Sequence, residues 1–195
     1  PNGCRPGELK TANQNTSLNL TDYFLSLVLN SFPLADLEKS EPDEKTVAAL
    51  TGEAMKMRDA LLTIDDSALK ITAEQTSSNT RSTYLGAVRA LMAAPSASPP
   101  TPTASAGDFS ADLNSLDEVY NKLTALRPPP DLKDFQKDLL KFTLRLRTYV
   151  ASISEQKSDP VKALLTLDGT EALLADYENI KTQILAIHDI TPPLD

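Results

Sequence analysis

The chain has 195 residues, 41% hydrophobic and 24% charged, and its 27 acidic against 19 basic side chains give a formal net charge of −8. These proportions exclude wholesale disorder, and the negative field, with no Lys/Arg cluster interleaved with aromatics, excludes nucleic acid as a partner. Trp is absent and Phe and Tyr number five each, so Leu, Ala, Val and Ile must fill the interior, as in helical bundles, and few rings are left to stack a flat cofactor.

The chain opens Pro1-Asn2-Gly3-Cys4 without an initiator Met, which predicts a processed or excised product. Residues 1–17 are polar, Asn/Thr-rich and without period, so they predict a flexible tether. Cys4 is the single cysteine, and three readings of it stay open: an incidental thiol, an intermolecular disulfide, or a lipid attachment point of lipoprotein type. Pro1 and Asn2 stand where the lipoprotein motif wants an apolar and a small residue. No stretch approaches the roughly 20 apolar residues of a spanning helix, and the net negative charge repels anionic headgroups. Any membrane link is therefore expected through an N-terminal anchor or lipid.

Leu20, Tyr23, Phe24, Leu27 and Val28 lie at helical spacing, ended by Phe32-Pro33 because the residue before proline is pushed out of the helical basin. Ser40-Glu41-Pro42-Asp43-Glu44 predicts the next start, with a capping hydroxyl, an early proline and acids at the positive end of the dipole. From there Val47, Leu50, Ala54, Met57, Leu61 and Ile64 alternate spacings of three and four, predicting one continuous buried stripe. Asp65-Asp66-Ser67 breaks it, Leu69-Lys70-Ile71 reads as a short extended crossing, and a third helix starts near Thr72 to Thr76. Its apolar positions Tyr84, Val88, Leu91 and Met92 fall in the second half, which leaves the first half weakly held.

Residues 94–107, APSASPPTPTASAG, read as a Pro/Ser/Thr/Ala linker or an exposed loop, since such a segment favours extended conformations and buries nothing. It divides the chain into helical halves over 18–93 and 108–190, each of three helices. In the second half Phe109, Leu113, Leu116, Val119 or Tyr120, Leu123 and Leu126 make a stripe stopped by Pro128-Pro129-Pro130. Then Leu132, Phe135, Leu139, Phe142, Leu146, Tyr149 and Ile153 alternate three and four without a miss, which predicts a central helix from Asp131 to about Ser154 with Phe135, Leu139, Phe142 and Leu146 buried. Ser158-Asp159-Pro160 supplies a cap and a proline for a last helix carrying Val161, Leu164, Leu167, Leu174, Tyr177, Ile180, Ile184 and Ile187, with Gly169 marking a kink or a brief break.

The expected fold is thus all-α, about six amphipathic helices in a bundle. Leu20, Tyr23, Phe24, Leu27 and Pro33 sit a constant distance before Leu116, Val119, Tyr120, Leu123 and Pro129, which suits either two pseudo-repeated three-helix halves or the default likeness of amphipathic helices. The two halves are expected to touch, because a three-helix unit of about 75 residues is marginal as an independent core.

Site chemistry is sparse. His188 is the single histidine, placed at a helix C-terminus where its charged form suits the dipole, so neither a metal centre nor a His-dependent triad is expected. The six glycines form no phosphate-binding loop, and no cofactor is expected. Asp65-Asp66 and Glu41, Asp43 and Glu44 sit at helix boundaries, where capping accounts for them better than a pair of catalytic carboxylates. Lys133, Lys137, Lys141 and Arg145 recur every four residues, flanked by Asp134 and Asp138. That series reads as a solvated outer face, with docking of an acidic partner as the sharper alternative.

The runs NLTDYF (19–24), SALKIT (67–72), Tyr84-Leu85-Gly86-Ala87, PPDLKDFQKDLLKF (129–142) and DPVKALLTL (159–167) together resemble uncharacterised, N-terminally anchored extracytoplasmic helical proteins of candidate-phylum, small-genome bacteria. The resemblance covers most of the chain after residue 18. It implies export and anchoring at a cell envelope or surface and supplies no catalytic residue. The expected function is a non-catalytic, tethered structural or interaction module of a bacterial cell envelope; the alternative is a carrier that holds a small apolar ligand between its helices.

Overall fold

The computed structural model describes residues 19–31, 43–69, 71–73, 78–93 and 109–190, without the side chains of Ala68, Ser78, Asn79, Met92, Ala93, His188, Asp189 and Ile190. The expectations for residues 1–17 with Cys4, for Phe32-Pro33, for Ser40 to Pro42, for the 94–107 linker and for the His188 side chain lie outside what is described. Among the described residues the chain is all-helical. It forms α1 (Leu20–Ser31), α2 (Glu44–Leu62), α3 (Ser78–Ala93), α4 (Ser110–Ala125), α5 (Lys133–Ser154), α6 (Pro160–Asp168) and α7 (Thr170–Ile190), with short 3-10 turns at Asp66–Ala68 and Pro130–Leu132.

Among the described residues seven α-helices stand where about six are expected, because Gly169 ends α6 outright, its N–H turning back onto the Thr166 and Leu167 carbonyls. A Cβ on Gly169 would collide with Leu62 Cδ1 of α2, so a side chain there would require the Leu62 side chain to move. Asp43 is the N-cap of α2, accepting from the Thr46 N–H at 2.7 Å, so one of the expected acids satisfies the first turn.

Two apolar clusters hold the helices together. The smaller joins Leu20 and Tyr23 of α1 to Met57 and Leu61 of α2, with Val161 and Leu165 of α6 against them. The larger gathers Ile64 and Leu69 with Tyr84 and Val88 of α3, Leu123 of α4, Phe135, Leu139 and Leu140 of α5, and Ile180 of α7. Each cluster takes residues from both sides of 94–107, so the packing does not follow the division of the sequence at that segment.

From Phe135 to Ser154 no residue of α5 is exposed, which makes it the central element. Its buried line is not the expected one. Phe135 and Leu139 are buried, but Phe142 and Leu146 are half-buried, and Gln136, Leu140 and Thr143 lie deeper. At 100° per residue the buried arc from Phe135 to Thr143 is centred roughly 60° from the stripe of Phe and Leu residues, because α4, α7, α6 and α2 all pack against this helix.

Two further stripes are only partly covered. In α2 Met57 and Leu61 are buried, whereas Val47 is exposed, since α1 and α6 reach only the C-terminal part of the helix. In α6 and α7 the expected core residues Leu164, Leu167, Leu174 and Tyr177 are exposed. The break at Gly169 lets each helix follow its own neighbours, so the two do not share one apolar face.

Candidate functional site

The cation row on α5 is not a solvated outer face beyond its first member. Lys133 is exposed, but Lys137, Lys141 and Arg145 are half-buried. Lys137 Nζ and Lys141 Nζ hold the two oxygens of Asp66 at 2.8 and 2.6 Å. Arg145 Nε donates to the Leu62 carbonyl, the last of α2, at 3.0 Å, and its Nη1 pairs with Asp176 of α7. A guanidinium at a helix C-terminus satisfies an orphan carbonyl and favours the dipole. These three cations therefore clamp the end of α2 and the turn after it onto α5. The Asp66 carboxyl is held below its ordinary value by hydrogen bonds from Lys137 and then Lys141, and Lys137 is raised by Asp66.

Asp65 and Asp43, also noted in the sequence, are likewise engaged. Asp65 accepts from the Ser67 N–H at 2.9 Å and the Ser67 hydroxyl at 2.7 Å, which lowers its pKa. Asp43 is lowered by the Thr46 N–H that it caps. Among the described residues no group of three or more His, Cys, Asp or Glu is placed to hold a metal ion, and no helix is long and apolar enough to cross a membrane.

Among the described residues Asp159 is the one buried carboxylate, 5% exposed. Its Oδ1 accepts from the Lys162 N–H of α6, and also from the Thr21 N–H at 2.9 Å and the Thr21 hydroxyl at 2.7 Å, while Oδ2 accepts from the Leu20 N–H at 2.8 Å. One side chain thus caps two helices that are 139 residues apart in sequence. Around it Thr21 Oγ1 accepts from the Val161 N–H, and Asn19 Nδ2 donates to the Ser158 carbonyl. Burial alone would raise this carboxyl, but bonds from the Thr21 hydroxyl and the Leu20, Lys162 and Thr21 amides together hold it below its ordinary value. The Ser158-Asp159-Pro160 signature predicts the local cap, and Asn19 supplies one for α1, its Oδ1 accepting from the Asp22 N–H at 3.0 Å; that Asp159 also serves α1 has no signal in the sequence.

A groove of about 410 Å³ lies between α3 and the end of α4, lined by Thr80, Thr83, Tyr84, Ala87, Ala125, Leu126 and Arg127. Behind it Tyr84 donates its hydroxyl to Gln136 Oε1 at 2.6 Å, and Gln136 Nε2 donates to the Leu123 carbonyl, so one buried network joins α3, α5 and α4. Burial raises the Tyr84 phenol, which keeps it neutral. The groove lining holds no carboxylate or imidazole to act as a general base.

The largest unmatched feature is apolar surface. Leu164 is 67% exposed on α6, and Leu174 and Leu185 are each 58% exposed on α7 with Leu167 and Tyr177 close behind. On α7 the core-facing Ile180, Ile184 and Ile187 and the outward Leu174, Tyr177 and Leu185 together span an apolar arc of about 160°, more than packing on α5 covers. Tyr177 marks the edge of that packing, its ring centroid 6.2 Å from that of Phe142.

Fold and site together define an all-helical bundle, among the described residues, with large apolar side chains exposed on α6 and on α7. Comparison of the chain with protein-family models, with curated proteins and with solved structures finds no match in any of the three.

Proposed function

We propose that the chain is a non-catalytic helical interaction module, tethered at its N-terminus outside the cytoplasm as part of a bacterial cell envelope. The observation that carries the reading is the apolar surface exposed on α6 and on α7, where Leu164, Leu174 and Leu185 are each more than half exposed. Large apolar side chains gathered on consecutive helices mark association surfaces more often than isolated ones do. The non-catalytic half of the reading is supported by the acids, since Asp43, Asp65, Asp66 and Asp159 each serve a cap or an ion pair. The envelope address is supported by the polar first 17 residues, with Cys4 as the candidate lipid attachment point, and by the resemblance to anchored extracytoplasmic proteins. A tethered module needs little intrinsic affinity, because tethering raises the effective concentration of its partner.

Fractionation of cells expressing the full gene, with a photocrosslinking residue at Leu164, is the test. The expected result is recovery with the envelope and a crosslinked product. Native protein found wholly in the cytosol, with an unprocessed N-terminus and no anchor encoded upstream, would overturn it.

A carrier for a small apolar ligand is the second reading, favoured by the groove beside Tyr84, whose volume of about 410 Å³ falls in the range of ligand pockets. A ligand that binds the folded state alone raises its melting temperature. A rise of several degrees with a fatty acid or lipid, abolished by Ala87→Trp in the groove, would favour the carrier over the interaction module.

A further inference from the structure

The outer face of α7 has a pattern that singles out a partner. Leu174, Glu178, Lys181 and Leu185 are all exposed and follow one another at spacings of four, three and four, the spacing of a helix-pairing seam. At 100° per residue they fall within about 60° of arc. The seam has leucines at its ends and one acid and one base at its centre.

We propose that a second copy of this chain docks antiparallel along that face. In an antiparallel pair related by a two-fold axis between Asn179 and Ile180, each position meets the one equally far beyond the axis. Leu174 then faces Leu185 of the other copy and Leu185 faces its Leu174, so both ends of the seam close on apolar contacts. Glu178 faces Lys181 of the other copy and Lys181 faces its Glu178. Within one chain Lys181 Nζ already lies 3.2 Å from Glu178 Oε2, with both side chains more than half exposed, so the same charges serve both copies without being deeply desolvated. A parallel pair in register would instead set Glu178 against Glu178 and Lys181 against Lys181, and like charges facing each other specify against it. Tyr177, 48% exposed, meets Thr182 and flanks the seam.

The 21 residues of α7 make a rod roughly 30 Å long, and one such helix pair buries less than the roughly 1,200 to 2,000 Å² of a stable interface. The pair is therefore concentration-dependent, which suits a module held at high local density. In this respect the inference rests on the proposed interaction function and names its partner.

Sedimentation equilibrium of the full 195-residue chain, over about 1 to 300 micromolar, tests it. The expected result is a monomer at the low end and a dimer at the high end. Glu178→Lys and Lys181→Glu should each remain monomeric, with unchanged far-UV circular dichroism because both positions are exposed. An equimolar mixture of the two variants should associate again, since every facing pair becomes complementary while neither chain regains its internal ion pair. Leu174→Asp and Leu185→Asp supply independent variants that should also remain monomeric. A wild-type chain that stays monomeric throughout, or charge reversals that leave the dimer unchanged, would overturn the proposal. A monomer that nonetheless crosslinks through Leu174 to a different envelope protein would overturn self-docking and leave the interaction reading standing.

Discussion

Asp159 concentrates more hydrogen bonding than any other carboxylate described, because its two oxygens serve the first-turn N–H groups of α1 and α6 together. Asp159→Ala should cost roughly 1 to 4 kcal/mol in urea unfolding, two N-caps being worth roughly 0.5 to 2 each. Asp159→Asn is the sharper variant, since an amide must present an N–H where the carboxylate now accepts from backbone amides. The pH dependence follows from the sign of the shift. The folded pKa lies below the unfolded one, so the stabilisation is complete above the unfolded value near about 4 and is lost as pH falls through the folded value. The stability gap between wild type and Asp159→Asn should therefore stay constant from about pH 7 to about 5 and shrink below about pH 4. A gap that persists unchanged at about pH 2 would show that the charge of Asp159 contributes nothing to the joint. Taking the difference matters, since Asp43, Asp65, Asp66 and Glu118 are also lowered and weaken the fold in acid in the same direction.

The helix α5 shows which parts of an element can be read from its pattern. Its span was legible, since the alternation of three and four from Leu132 to Ile153 requires a helix, and so was its central position. The orientation was not. Hydropathy gives Gln136 and Thr143 no reason to be buried, yet Gln136 is 1% exposed because Tyr84 and the Leu123 carbonyl complete its bonding, and Thr143 turns its hydroxyl onto the Leu139 carbonyl. Partners from other helices make that polar face an interior one, and periodicity within one helix cannot contain them. The engagement of the cation row on the same helix is invisible to periodicity for the same reason, because Asp66, Asp176 and the Leu62 carbonyl lie on other elements. Leu140→Ala should accordingly cost about 2 to 5 kcal/mol and the half-buried Phe142→Ala clearly less, the reverse of what side-chain size alone suggests. Equilibrium unfolding of the two variants side by side checks the order. The joint between α6 and α7 makes a matching claim. Gly169→Ala should cost about 1 to 3 kcal/mol by overpacking against Leu62, and Leu62→Ala introduced beside it should recover part of that loss. Additive losses would show that the two side chains do not meet.

At the scale of the whole molecule the decisive fact is that neither apolar cluster belongs to one side of residues 94–107. The bundle around α5 takes Ile64, Leu69, Tyr84 and Val88 from the earlier part of the chain, and α6 from the later part completes the cluster of α1 and α2. Arg58 of α2 pairs with Asp168 of α6, and Arg81 of α3 pairs with Asp131 before α5, so ion pairs cross in the same way as the apolar contacts. A fragment of residues 108–195 would therefore keep α4, α5 and α7 but strip Tyr84 from Gln136, leave Asp66 absent from Lys137 and Lys141, and uncover the faces of α6 that meet α1 and α2. A buried polar group deprived of its partner costs about 1 to 3 kcal/mol, and the fragment would deprive Gln136 of Tyr84 and Asp159 of Leu20 and Thr21 together. With total stability of small domains about 5 to 15 kcal/mol, these losses and the uncovered apolar area leave little margin. The fragment should bind a hydrophobic dye and unfold over a broad range of urea, whereas the full chain should unfold in one sharp transition. A fragment that unfolds as cooperatively and at the same urea midpoint as the full chain would show that the earlier helices lie on the later ones without sharing a core.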